Sequence, residues 1–324
     1  MRKPRLSIGL PVYNGARYLF CCLDSILSQS YEDFELIISD NASTDSTQDI
    51  CLKYASGDKR IKYFRNPKNL GASANFNAAF HKSEGEFFKW ASYDDICAPG
   101  FFSECMELLE SDPSDVLSHP RTMRIDADGR ELGVYDLELS TSSEDPVERF
   151  RDLLLKKHAC FQVFGIIRSE VLKKTKLIHN YSGSDRVLLA ELSLYGKFRE
   201  APKPLFLRRS HPHESVRLFP DANRRYEWFD PSLAGKVNFT QWRLLAEYAS
   251  SINRAPIPAG SKAACSLLIT KWAAMHWRHF AHDMKNAGID MLHVDALSRL
   301  MQSGLRATKQ GMVSVSGILG IYRK

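Results

Sequence analysis

Short apolar runs alternate with stretches of helical period through the first third of the chain. Residues 6–12 form an apolar run that stops at a Pro/Asn/Gly turn, and residues 18–29 follow with Leu19, Leu23, Ile26 and Leu27 on one face. FELIIS at 34–39 reads as a second buried strand, and a cap-rich stretch at 41–44 opens a helix over 45–54. A third strand covers 61–65, followed by a polar turn and a helix near 72–82. EFFKWA at 86–91 is a fourth strand, ending at Ser92-Tyr93-Asp94-Asp95, with a helix over 101–110 and a strand at 116–118 beyond it. Apolar strands alternating with helices belong to a parallel sheet covered on both faces. The fold class is therefore α/β and Rossmann-like, with a mostly parallel sheet flanked by helices.

The pattern changes after residue 120. IDADG at 125–129 reads as a turn, 137–145 as a Ser-rich loop, 147–155 as a helix, 161–167 as extended and 184–194 as a helix. A strand at 205–207 leads into a segment rich in Arg and His. From about Val237 the period is helical, through Trp242, Leu244, Leu245, Leu267, Leu268, Trp272 and Trp277. A boundary falls within 219–236, so the chain divides into a unit over 1–218 and a C-terminal helical region over 219–324. That region reads as a subdomain packed on the first unit. An amphipathic surface resting on the inner membrane is the second reading, with Lys271, Trp272, Trp277 and Arg278 as its residues.

Composition narrows the class only a little. The 324 residues carry a formal charge of +6, too mild an excess to imply nucleic acid. The seven cysteines form no CxxC pair, and they read as reduced thiols of a cytoplasmic protein. No secretory leader is recognisable, because Pro11 and Asn14 break the first apolar run.

Ligands of open parallel sheets bind at the carboxyl ends of the strands. Three polar clusters fall at such ends: Pro11-Val12-Tyr13-Asn14, Asp40-Asn41 with the Ser/Thr/Asp that follow, and Asp94-Asp95. Magnesium takes only one or two carboxylates from protein when phosphates complete its shell, so one well-placed aspartate suffices. The plainer reading of Asp94 or Asp95 is a helix cap. Asp40 suits a nucleobase imide or, more plainly, an Asx turn. Asn69-Leu70-Gly71 precedes a helix whose N-terminus favours an anion. Asp126-Ala127-Asp128 spells a metal motif, but the Gly129 that follows marks it as a turn.

The order of these clusters resembles inverting glycosyltransferase family 2, which has the GT-A fold. SIGLPVYNG, LDSILSQSYEDFELIISDNASTD, RNPKNLGASANFN and GEFFKWASYDDICAP occur in family order and spacing, strongly over residues 5–118 and more thinly toward 217. The resemblance implies a nucleotide-sugar-binding half over 1–118 and an acceptor-binding half over 119–218. It places Pro11, Val12, Tyr13, Asn14, Asp40, Asn41, Asn69, Gly71, Asn75, Tyr93 and Asp95 at the donor nucleotide. It makes Asp94 the ligand of a divalent metal, Mn2+ or Mg2+. The first Asp of the family's DxD motif is here Ser92, and Phe76 stands where many relatives carry Arg, with Asn75 or Lys68 as the substitutes on offer.

For the acceptor base the resemblance points to Asp185, whose plainer role is to favour a helix dipole. His211, in the Arg208-Arg209 segment, is matched to the donor phosphates, against a solvated basic loop. The implied function is transfer of a sugar from a nucleotide-sugar, by family habit a UDP-sugar, to a glycan or lipid-linked acceptor in cell-surface polysaccharide synthesis. Peripheral membrane contact and assembly with a second copy are open. A sugar-1-phosphate nucleotidyltransferase is disfavoured because LPVYNG lacks a Gly-rich phosphate loop. A catalytically inactive nucleotide-sugar-binding protein of the same fold is the alternative, kept alive by Ser92 and Phe76.

Overall fold

The computed structural model describes residues 3–219 and 222–287. Strands β1 (Leu6–Val12), β2 (Phe34–Asp40), β3 (Ile61–Arg65) and β4 (Phe87–Trp90) lie side by side in the order β3-β2-β1-β4, all parallel. Helices α1 (Ala16–Leu27), α2 (Thr47–Gly57) and α3 (Ala72–His81) make the crossovers that parallel pairing needs. Every residue of β1 and β2 is buried, which is why both strands read as unbroken apolar runs.

Beyond β4 the sheet is mixed, which corrects the expectation of a mostly parallel one. The chain continues through β5 (Ile96–Cys97), α4 (Phe101–Ser111), β6 (Asp115–Ile125), β7 (Glu131–Tyr135), α5 (Pro146–Leu155), β8 (Ile166–Arg168), α6 (Ser169–Leu172), α7 (Ser184–Tyr195) and β9 (Lys197–Arg209). The full order is β3-β2-β1-β4-β8-β6-β9-β5, with β7 beside β6. β8 is antiparallel to both β4 and β6, and β5 is antiparallel to β9. Runs of two or three residues such as β5 and β8 carry too little period to reveal their direction, so the sequence pattern could not show the reversal.

Other expectations shift in detail. The extended run at 161–167 is a 3-10 turn, Phe161–Phe164, followed by β8. The strand at 116–118 continues to Ile125, and 205–207 is the end of the 13-residue β9. The turn at 125–129 is realised: Gly129 has φ +90, and the Asp126 carboxylate accepts from the Asp128 and Arg130 amides. It closes the β6–β7 hairpin and holds no metal geometry.

After β9 come α8 (Ser215–Leu218), α9 (Ala222–Phe229), α10 (Thr240–Arg254), α11 (Ala259–Met275) and α12 (Trp277–Asn286). The remainder of the helical region, 288–324, lies outside the described residues. One apolar cluster joins Leu19, Leu23, Phe102 and Met106 to the sheet; the other gathers Phe150, Leu188 and Leu189 with Tyr248, Trp272 and Phe280. Trp272 is buried, with ring centroids 5.4 Å from Tyr248 and 5.8 Å from Phe280. It belongs to the core, which removes it from the set of membrane-facing residues. Arg254 of α10 grips the buried Glu191 of α7 through two bonds of 2.9 Å. Among the described residues no helix is long and apolar enough to cross a membrane.

Candidate active site

The ends of β1, β2 and β3 form a polar shelf. Val12 and Asp40 are register partners, and the chain turns at Asn14 with φ 51. Asn14 donates its amide to Ser43 Oγ at 3.0 Å and accepts the Thr44 amide at 2.8 Å, which ties the two strand ends together. Tyr13 is exposed on this shelf. Asp40 is fully buried: one oxygen accepts the Ser43 amide at 2.8 Å, and the other accepts the Tyr63 hydroxyl at 2.7 Å with Arg65 Nε 3.4 Å away. The Asx-type turn and a charged partner are thus both present.

Two asparagines shape the shelf through their whole hydrogen-bonding capacity. Asn41 donates to Asn69 Oδ1 and the Gly71 carbonyl, and accepts from Asn66 and the Leu70 amide. Asn75 donates to the Ser39 and Val12 carbonyls and accepts from Ser39 Oγ and Asn66. The Asn75 side-chain amide thus has its donors and its acceptor engaged within the shelf. Phe76 packs on Trp90, with centroids 6.3 Å apart, and its carbonyl accepts the indole N–H at 3.0 Å. Gly71 has φ +86, and a Cβ there would lie 2.4 Å from the Phe229 carbonyl oxygen, so the shelf abuts α9 through a residue that must be glycine.

The third cluster is assembled by the antiparallel pairing of β5 with β9, in which Ile96 faces Leu207. That register carries Arg208, Arg209 and His211 to the loop after β4. Asp94 Oδ2 lies 2.9 Å from His211 Nε2, and its other oxygen accepts the Ser92 hydroxyl. Asp95 Oδ1 accepts the Arg209 amide at 2.8 Å, with Arg208 Nη1 at 3.6 Å. Arg209 Nε donates to the Asp94 carbonyl, and its guanidinium lies over the Tyr18 ring at 4.8 Å. Tyr93 reaches back to Gly15 at the start of α1, where an added Cβ would meet its ring at 2.8 Å. The strand-end clusters thus form one continuous surface.

Burial would raise both carboxyls. At Asp94 the hydrogen bond from His211, the charge of Arg208 and the Ser92 hydroxyl outweigh it, and its pKa is lowered. Asp95 is pushed up to about 7, by burial first, with the Asp94 charge adding to it against Arg208. Asp94 is therefore the carboxylate that stays ionised.

Four buried polar atoms around this pair make no hydrogen bond among the described residues: Asp95 Oδ2, Arg208 Nη1 (ion-paired at 3.6 Å to Asp95 Oδ1), His211 Nδ1 and Tyr18 Oη. Buried polar groups are rarely left unpaired. Orphaned atoms of both signs beside an ionised carboxylate fit a ligand that brings anionic oxygens and a cation. Asp94 and His211 offer two metal donors; among the described residues no group of three His, Cys, Asp or Glu side chains surrounds one point. Two donors suit a cation whose shell is completed by phosphates.

Asp185 is not part of this cluster. It follows Gly183 (φ 89) in the first turn of α7, half-buried, with one oxygen accepting the Arg186 amide at 2.9 Å. Burial raises its pKa, opposed by Arg186. Sequence reasoning missed Tyr18, Tyr63 and Arg65, whose roles depend on contacts across strands or helices that no local pattern records. A groove of about 400 Å3, lined by Leu70, Ser73, Asn77, Lys176, Asn180 and Phe229 among others, adjoins the shelf at Leu70. Its polar groups pair mainly among themselves and with the backbone.

A parallel βαβ half with an Asp/Asn shelf, followed by a carboxylate–imidazole pair, defines an α/β protein whose candidate ligand site lies at the carboxyl ends of its strands. The family model for glycosyl transferase family 2 matches residues 7–175, and this chain belongs to that family. It is 36% identical over 115 residues to an uncharacterized glycosyltransferase of Rickettsia typhi, covering 35% of each chain. The chain thus spans about a third of that relative's length. An uncharacterized glycosyltransferase of Methanocaldococcus jannaschii is 28% identical over 178 residues, 54% of this chain and 60% of that one. In fold the chain is similar to S. aureus TarS 1–349 crystallised with UDP, at a TM-score of 0.60 and 17% identity over 85% of this chain and 72% of that one.

Proposed function

We propose that this chain is an inverting glycosyltransferase that moves a sugar from a UDP-class nucleotide-sugar to a hydroxyl of a glycan or lipid-linked acceptor in cell-surface polysaccharide synthesis. The observation that carries this reading is the Asp94–His211 pair, 2.9 Å apart among unpaired buried polar groups at the edge of the nucleotide shelf. Residues 1–118 serve the donor and 119–218 the acceptor, and the helices beyond 219 support the acceptor half. The seven free cysteines suit a reducing cytoplasmic setting, with contact at the inner membrane face where the acceptor is lipid-linked.

On this reading the shelf of Pro11, Val12, Tyr13, Asn14 and Asp40 receives base and ribose, with Asn41, Asn69, Gly71 and Asn75 holding its shape. Tyr93, Asp95, Arg208 and His211 frame the diphosphate. Asp94 and His211 would hold Mn2+ or Mg2+, which when bound supplies Lewis-acid neutralisation of the leaving diphosphate, typically worth several kcal/mol. Asp185 takes the proton of the acceptor hydroxyl as that oxygen attacks the anomeric carbon from the face opposite the diphosphate. One displacement inverts the anomeric configuration. A base so placed contributes about 10²–10⁴-fold.

The test is nucleoside diphosphate release from a panel of UDP-, dTDP- and GDP-sugars, with and without manganese, on the native chain and Asp94→Ala. Metal-dependent release of one donor, abolished by the substitution, is the expected result. Absence of both release and calorimetric donor binding would overturn the proposal in favour of an inactive relative.

A further inference from the structure

Telling one nucleobase from another takes a polar group that reaches the edge of the base, and most such groups on the shelf are already engaged. Asp40 has no exposed surface, and the Ser43 amide and Tyr63 hydroxyl hold its two oxygens. The Asn41 and Asn75 amides are taken up within the shelf, and Phe76 packs on Trp90. Arg65 differs from all of these. It ends β3 as the register partner of Asp40, itself the partner of Val12, so the three stand in a row across the sheet. Parallel strands bring such neighbours to about 5 Å. Arg65 Nε lies 3.4 Å from Asp40 Oδ2, and Nη2 donates to the Ser43 carbonyl at 2.9 Å. Ser43 Oγ in turn accepts the Asn14 amide, which sets the guanidinium beside the turn that follows Tyr13. The Arg65 side chain is 36% exposed, and its other N–H groups make no hydrogen bond among the described residues.

We propose that Arg65 is the residue that selects the donor's nucleobase, donating to the exocyclic carbonyl of a keto base such as uracil or guanine; this rests on the reading of the shelf as a nucleotide site. Asp40 then serves the base through Arg65: its buried carboxylate holds the guanidinium by a charge-assisted contact. The Ser43 carbonyl fixes the second edge of the fork. A fork pre-set in this way loses little freedom when a ligand arrives. Guanidinium groups donate and never accept. Uracil O4 and guanine O6 are acceptors, whereas cytosine and adenine carry an amino group at the corresponding position. An amino group there would set N–H against N–H, so the same guanidinium that favours a keto base disfavours an amino base.

The experiment is calorimetric titration of the intact chain, Arg65→Ala and Arg65→Lys with UDP, GDP, CDP and ADP, each with manganese. The native chain should bind UDP or GDP more tightly than CDP and ADP, and the tighter of the two identifies the base. Arg65→Ala should weaken that nucleotide by about 10–100-fold, the usual loss for a hydrogen bond from a charged group, and leave CDP and ADP nearly unchanged. The preference for a keto base then collapses. Arg65→Lys keeps a cation beside Asp40 but not the fork, and should recover only part of the preference. An equal loss for all four nucleotides in Arg65→Ala would mean that Arg65 only braces the Asp40 turn, and would overturn the proposal. A native chain without preference among the four, or a preference that survives in Arg65→Ala, would overturn it too while leaving the nucleotide site in place. Absence of binding of any nucleotide to the native chain would remove the nucleotide shelf and this proposal with it.

Discussion

Asp94 Oδ2 and His211 Nε2 stand 2.9 Å apart although 117 residues separate them in the chain. The contact exists because β5, the two residues directly after the Asp pair, pairs antiparallel with the end of β9. Both side chains are almost wholly buried; each is held by the other, and Asp94 also accepts the Ser92 hydroxyl.

His211→Ala should therefore weaken manganese-dependent donor binding while leaving metal-free nucleotide binding in place. Loss of one contributor to a metal site costs about 10–100-fold in affinity. Calorimetric titration of UDP with and without manganese reads the difference; equal affinities for the two proteins would remove His211 from the site.

Asp185→Asn should lower kcat by about two to four orders of magnitude and leave the donor dissociation constant within error of the native value. Single-turnover kinetics with saturating donor separates the two quantities.

The pH dependence follows from the same residue. A general base works deprotonated, and burial raises the pKa of Asp185 from its ordinary value. Turnover should fall as pH drops through that raised value, so the acid limb sits above about 4, the pKa of a free aspartate. Asp185→Glu, with its longer side chain, should keep an acid limb, whereas any residual activity of Asp185→Asn should lack one.

Stability should fall on the acid side for a separate reason. Burial lowers the pKa of His119 to about 4 in the folded chain, against about 6.5 when unfolded. Between these values the unfolded state binds the proton and the folded state does not, so stability is complete above pH 6.5 and declines toward pH 4. His119→Gln should reduce the loss between pH 7 and pH 5 by about 1–2 kcal/mol, read as urea midpoints at the two pH values.

Gly71→Ala tests the contact between the shelf and α9. With φ +86 and the Phe229 carbonyl 2.4 Å from the new Cβ, it should cost about 1–3 kcal/mol. A melting temperature equal to that of the native chain would show that the Phe229 segment yields freely.

The parallel half was legible because its signals are local. β1 and β2 are buried on both faces and so read as continuous apolar runs, and the Asn14 and Asp40 turns follow directly at their ends. Strand ends of a parallel sheet share one edge, so the motif order alone placed these polar clusters on one shelf. The mixed half was not legible, because strands as short as β5 and β8 do not state their direction. The same holds for the roles of particular atoms. Asn41 and Asn75 look like ligand-binding residues in the motif, but the tertiary structure engages every polar group they have. The sequence by itself determined which residue types stand at the strand ends. Only packing decided that Asp94 meets His211 and that Asp95 is driven toward its neutral form, because burial and partners from distant segments set those states.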